Sequence, residues 1–116
     1  MPITRHESKG LLSKVVEANG FVFTAGITAD DSKADAQGQA EQILREIDRL
    51  LKLCGTDKSK IISATIWVSD IRHREKMNVA WNAWTGGQNL PGRACVEAKL
   101  ADPNLLVEIA VIAAKG

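Results

Sequence analysis

Between Leu105 and Ala114 the sequence is apolar on both sets of alternating positions: Val107, Ile109, Val111 and Ala113 on one, Leu106, Ala110 and Ile112 on the other. A strand that reads this way is buried on both faces. The remaining sequence supplies two amphipathic helices, which can cover only one face of a sheet of about five strands. The second face then needs a cover from outside the chain, and another copy of the same chain is the simplest one. An oligomer is therefore expected. One residue interrupts the pattern. Glu108 shares a parity with Leu106, Ala110 and Ile112, so its carboxylate points into an apolar or interfacial environment. A buried carboxylate without a partner costs several kcal/mol or takes up a proton. A cross-sheet ion pair, a solvated rim and a functional site all remain open for it.

The elements in front of that strand read in order. Leu11 to Thr24 is apolar at both ends with Asn19-Gly20 in the middle, and Asn-Gly suits the two positive φ values of a type I′ hairpin turn. Asp30, Asp31 and Ser32 offer helix-capping side chains. Ala40, Ile43, Leu44, Ile47, Leu50, Leu51 and Cys54 form a helical stripe, and Gly55 follows where a left-handed cap belongs. Ile61 to Ser69 reads as a strand with Ile62, Ala64, Ile66 and Val68 on one face. A second helix is expected over His73 to Trp84, with Met77, Ala80, Trp81 and Trp84 at helical spacing and Gly86-Gly87 as its stop. Pro91 to Ala98 is a further strand, separated from the last by a turn at Asp102-Pro103-Asn104. The expected order is ββαβαββ, an α/β (α+β) mixed sheet with both helices on one face.

A chain of 116 residues without repeats, linkers or biased segments is expected to form one domain over 1–116. With 15 basic and 14 acidic side chains the net charge is +1, so no polyanion-binding surface is advertised and nucleic acid is not the expected partner. No apolar run reaches the ~20 residues that span a bilayer, and nothing at the start reads as a secretion signal. Two cysteines give no disulfide framework, and a reduced cytoplasmic setting is expected. His6 and His73 have no cysteine or carboxylate at a ligand spacing, which reads as surface histidine and no metal. Arg72 to Lys76 reads as a solvated helix start.

Arg93, two residues after Pro91, shares a strand parity with Cys95. A guanidinium suits a planar, two-pronged hold on a carboxylate. Arg93, Glu108 and the small polarizable Cys95 could line a pocket for a small carboxylic acid. Cys95 as a nucleophile would need a base beside it, and the sequence places neither histidine there.

At these residues the chain resembles the reactive intermediate deaminase (Rid, YjgF-like) family. Pro91-Gly92-Arg93-Ala94-Cys95-Val96-Glu97 followed by Val107-Glu108-Ile109-Ala110-Val111-Ile112-Ala113 is similar to its C-terminal signature. Phe21 to Gly26, the helix with Gln39, Ala40 and Leu44, and Ile66-Trp67-Val68 before Asp70 match in order, so the resemblance runs from about Leu12 to Ala114. It implies a chorismate-mutase-like fold and a homotrimer with ligand sites between subunits. It implies hydrolysis of enamines and imines such as 2-aminoacrylate and 2-iminobutanoate to 2-keto acids and ammonia, with no cofactor. Arg93 would hold the substrate carboxylate, the Cys95 backbone its nitrogen end, and Glu108 the attacking water, while Gly26 would let backbone approach the ligand. One departure stands out. The family's tyrosine before the first strand falls on Leu12, and the chain has no tyrosine at all. A non-catalytic protein that senses a small keto or amino acid in the same cleft is the alternative reading, and an RNA-directed role is a third that the near-neutral charge disfavours.

Overall fold

The doubly apolar segment becomes the hub of the sheet. The computed structural model describes residues 2–116, and its strands are β1 (Ile3–Lys9), β2 (Leu12–Ala18), β3 (Phe21–Thr24), β4 (Ile61–Val68), β5 (Gly92–Glu97) and β6 (Val107–Ala114), with α1 (Ala36–Leu53) and α2 (Arg74–Thr85) between them. They form one six-stranded mixed sheet in the order β1-β2-β3-β6-β4-β5. β6 lies between β3 and β4, antiparallel to both, while β5 runs parallel to β4 at the outer edge.

The expected α+β class and the helices on one face hold, and the structure adds a strand in front of the expected ββαβαββ order. No apolar alternation announces β1, because an edge strand exposed on both faces needs none. Ile3–Lys9 is polar or charged at all but its first position and almost wholly exposed, and charge on an edge strand discourages further pairing. The Asn19-Gly20 hairpin is as expected, with φ values of 52° and 82° and Ala18 opposite Phe21.

Two local expectations are corrected. The helix cap is Asp35, not Asp30, Asp31 or Ser32: its side chain accepts from Gly38 N at 2.9 Å, and Asp31 instead accepts from Lys33 N in the preceding loop. In β4 a register shift between Ile61 and Ser63 breaks simple alternation. Ile61 therefore joins Ala64, Ile66 and Val68 in the core at 6% exposure, and Ile62 is turned out at 47%.

The core fills one side of the sheet only. Ala40, Ile43, Leu44, Ile47, Leu50 and Leu51 of α1 and Met77, Ala80 and Trp81 of α2 pack on Val15, Val22, Ala64, Ile66, Val107, Ile109 and Val111. Gln39 is fully buried within this layer. Its Nε2 donates to the carbonyls of Ser32, Ala34 and Asn104, and its Oε1 accepts from Leu106 N at 2.8 Å. One side chain thus pins the loops entering α1 and β6. Gln39→Ala strands that N–H and those carbonyls, and each unmet buried group costs about 1–3 kcal/mol. Urea unfolding of the variant is expected to show a loss of about 3 kcal/mol, and an unchanged midpoint would mean that water replaces the amide freely.

The other face is bare. Phe21, Phe23 and Ile112, at 38%, 39% and 36% exposure, sit in register across β3 and β6, and Ser63, Thr65 and Trp67 of β4 continue the row past Ala110 and Glu108. An apolar sheet face of this kind marks a contact surface.

Candidate functional site

Glu108 is delivered to this open face by alternation along β6, whose odd positions Val107, Ile109, Val111 and Ala113 are buried under the helices. The chain leaving β3 is fastened beside it by a two-way backbone bridge. Ile27 N donates to Ile109 O at 2.8 Å and Ile109 N to Ile27 O at 3.1 Å. This brings the Gly26 backbone against the glutamate, so closely that a Cβ on residue 26 would lie 2.0 Å from Glu108 Oε2. The family resemblance implies close approach of a ligand at Gly26; in the protomer the group that approaches is the Glu108 carboxylate. Among the described residues Glu108 has no hydrogen-bond or ion-pair partner, and burial raises its pKa above the usual carboxylate value. An unpartnered, partly buried carboxyl group of this kind is a candidate for proton exchange.

Arg93 and Cys95 lie on the other side. β5 pairs with β4 so that Arg93 stands beside Ala64 and Cys95 beside Ile66, both core positions, and Cys95 packs against the core. The Arg93 guanidinium lies over the Trp81 ring, 5.2 Å from its centroid. Trp81 is therefore both core, as its spacing suggested, and the platform under the arginine. Such a contact contributes about 0.5–1 kcal/mol at a partly exposed site and limits where the cation can wander. Arg93 has no carboxylate partner among the described residues. Ala98 N donates to Val68 O at 2.9 Å, so by alternation the N–H groups of Val96 and Ala94 also face β4. Those of Cys95 and Arg93 point out from the free edge of the sheet.

The four candidate residues thus form two pairs. Glu108 with Gly26 occupies the open face, and Arg93 with Cys95 occupies the helix-side edge, so the single pocket expected from the sequence is not assembled within one protomer. Sequence parity along each strand is readable, but which face a parity occupies depends on where the helices pack. Gly26 also borders a pocket of about 180 Å³ lined by Leu12, Lys14, Asp30 and Glu46, which Arg93, Cys95 and Glu108 do not reach. There Lys14 pairs with Glu46 at 2.9 Å, and hydrogen bonds from Arg49 and then Lys14 hold the Glu46 carboxyl down at about 2. Leu12 presents an exposed aliphatic side chain at its rim.

Gly26→Ala is expected to move the Glu108 carboxylate aside, because only the end of a flexible side chain stands in the way of the new methyl group. The fold survives and the site loses its geometry. A melting temperature within a few degrees of wild type together with altered ligand affinity is the expected pair of results; an unaltered affinity would separate Gly26 from the site.

His6 is not isolated: its Nε2 lies 2.5 Å from Glu17 Oε2, and Cys54 stands beside them. Glu17 comes from the adjoining strand β2 and Cys54 from the end of α1, so no ligand spacing in the sequence connects the three. His73, by contrast, sits at the start of α2 as an ordinary helix-entry residue.

The family described as Endoribonuclease L-PSP matches residues 3–115. A RutC family protein of Haemophilus ducreyi is 41% identical over 112 residues, covering 97% of this chain and 96% of the relative. The RutC family protein YoaB of Escherichia coli is 36% identical over 114 residues, covering 98% of this chain and 99% of the relative. A YjgF-family crystal structure from Neisseria meningitidis superposes with a TM-score of 0.96 at 37% identity, covering 100% of this chain and 97% of that one. The match of fold, C-terminal signature and nearly full-length relatives places one conclusion beyond the resemblance: this chain belongs to the YjgF/Rid family, whose fold it shares from end to end.

Proposed function

We propose that the protein hydrolyses enamine and imine forms of small 2-amino acids to 2-keto acids and ammonia, in clefts formed between copies of the chain in a homotrimer. The observation that carries this reading is the division of the site. A proton-accepting carboxylate lies on an uncovered apolar face, and a carboxylate-binding guanidinium with an outward backbone N–H lies at a free sheet edge. Packing the open face of one copy against the edge of another brings the two halves together and covers Phe21, Phe23 and Ile112 at once. Family membership supports the same arrangement.

In such a cleft Arg93 holds the substrate carboxylate through paired hydrogen bonds. The Cys95 backbone N–H, or its carbonyl, meets the nitrogen end. Glu108 orients a water at the imine carbon and takes its proton as the C–O bond forms. That proton passes to nitrogen to give the carbinolamine; the hydroxyl then gives up its own proton, relayed to nitrogen by the same carboxylate, as the carbonyl closes and the C–N bond breaks, so ammonia leaves with both protons of the water. An imine carbon is already electrophilic, so orientation and one proton-handling group account for the chemistry. Cys95 contributes packing and backbone.

Leu12 favours a second reading. Without the family tyrosine's hydroxyl the cleft could hold a keto or amino acid without turning over an imine, as a sensor would. Generating 2-iminobutanoate in the presence of the protein and timing keto-acid release separates the two. Release faster than spontaneous hydrolysis supports the enzyme; binding of 2-ketobutyrate with spontaneous-rate release supports the sensor. Light scattering at micromolar concentration is expected to give three times the 12.6 kDa chain mass, and a stable monomer would remove the cleft.

A further inference from the structure

On the helix side of the sheet, away from the cleft, three elements bring metal-ligand chemistry to one point. β1 contributes His6, β2 contributes Glu17, and the C-terminal cap of α1 contributes Cys54. One ligand atom from each, an imidazole nitrogen, a carboxylate oxygen and the thiol sulfur, lies within 4.8 Å of the other two. We propose that His6, Glu17 and Cys54 bind one divalent ion of the zinc class, with the fourth position open to water.

The donor set selects the ion. A thiolate, an imidazole and a carboxylate together suit a borderline-soft ion and are a poor match for magnesium or calcium, which take oxygen ligands. Bond lengths of about 2.0–2.3 Å in a tetrahedral site put ligand atoms about 3.5 Å apart. Because the three ligand atoms lie within 4.8 Å of one another, none of the pairs has to close by more than about 1.3 Å to reach that spacing. The direct His6–Glu17 contact of 2.5 Å must open by a similar amount. The His6 imidazole has room for these movements because it stands on β1, which has no neighbour on its far side, whereas Glu17 lies on the second strand and Cys54 is buried at the end of α1.

The surroundings are suited to the exchange. Glu17 Oε1 accepts from Lys115 Nζ at 2.5 Å, which leaves Oε2 for the ion and fixes the carboxylate from behind, as partners outside the ligand set commonly do. On binding, the Cys54 S–H bond breaks, a sulfur–metal bond forms, and the proton leaves to the buffer. The ion, the thiolate and the carboxylate sum to zero, so the charge left at the loaded site is that of the Lys115 ammonium, whose side chain is half exposed to water. His6, with 24% of its side chain exposed, forms the solvent-facing wall through which an ion enters.

The test is titration of the full chain with Zn²⁺ by calorimetry, and with Co²⁺ as a spectroscopic stand-in. One equivalent per chain, a thiolate-to-cobalt charge-transfer band and the intense visible bands of tetrahedral cobalt are expected. Cys54→Ala is expected to remove the charge-transfer band. His6→Gln, a change on an exposed edge strand that leaves the core untouched, is expected to weaken binding at least tenfold. It decides the matter if the cysteine variant folds poorly. His73→Gln serves as the control and is expected to change nothing. Substoichiometric binding, a cobalt spectrum without the thiolate band, or affinity that survives His6→Gln would overturn the proposal. The outcome is independent of imine hydrolysis, whose rate is expected to be equal in metal-loaded and chelator-treated protein.

Discussion

Replacing Arg93 by alanine is expected to abolish binding of small 2-keto acids while leaving the fold in place. Every substrate in the proposed reaction carries a carboxylate, and a cleft without its cation must desolvate that anion uncompensated. A loss of about 2–5 kcal/mol follows. The fold should tolerate the change because Arg93 has no ion-pair partner among the described residues, and its one strong contact is the face of Trp81, which stays supported by the core. Arg93→Lys is expected to recover only part of the affinity, since an ammonium makes neither the parallel pair of hydrogen bonds nor the flat stack on the indole. Titration of wild type and both variants with 2-ketobutyrate measures this. Equal affinities across the three would take the anchor away from Arg93. A variant that no longer forms the wild-type oligomer would show that the arginine is structural instead.

Glu108→Gln is expected to slow turnover by about a hundredfold or more, in the range of general acid–base groups, with 2-ketobutyrate binding retained. Its pH dependence provides a second and sharper readout. Burial raises the Glu108 pKa in the folded protein, and the carboxylate is the form that accepts the proton. Wild-type turnover therefore falls as the pH drops through a value above the usual carboxylate range, and the glutamine variant lacks that limb. The stability consequence has the opposite sense. A carboxyl group whose folded pKa lies above its unfolded one stabilises the fold while protonated, and that contribution is lost as pH rises through the folded value. Glu108→Gln should thus gain stability relative to wild type above that pH and match it below. If the variant instead loses stability at neutral pH with its rate per folded site unchanged, Glu108 is a structural residue.

How far the sequence reaches can be traced through individual residues. The α1 stripe from Ala40 to Cys54, the Asn19-Gly20 turn, the Gly86 stop of α2 and the two-sided burial demand of Leu105–Ala114 are all local or periodic properties. Side-chain spacing and backbone preference express them without reference to the rest of the chain, and they suffice for the α+β class. The family signature around Arg93 and Glu108 was legible for the same reason. β1 was not, because an exposed edge strand owes its conformation to hydrogen bonds with β2 rather than to its own side chains. The reversal of Ile61 and Ile62 depended on a register shift against β6, and the choice of Asp35 over Asp31 as the cap depended on where the loop docks on Gln39.

The site divides along the same line. The sequence by itself determined which chemical groups are available and which alternate along each strand. Only the tertiary structure decided which face each parity occupies, and so placed Glu108 against Gly26 on the open side and Arg93 over Trp81 on the other. It also decided that His6 of β1, Glu17 of β2 and Cys54 at the end of α1 meet at one point. Face and proximity are set by the packing of helices on a sheet, a sum of contacts between distant segments that no single stretch of sequence contains.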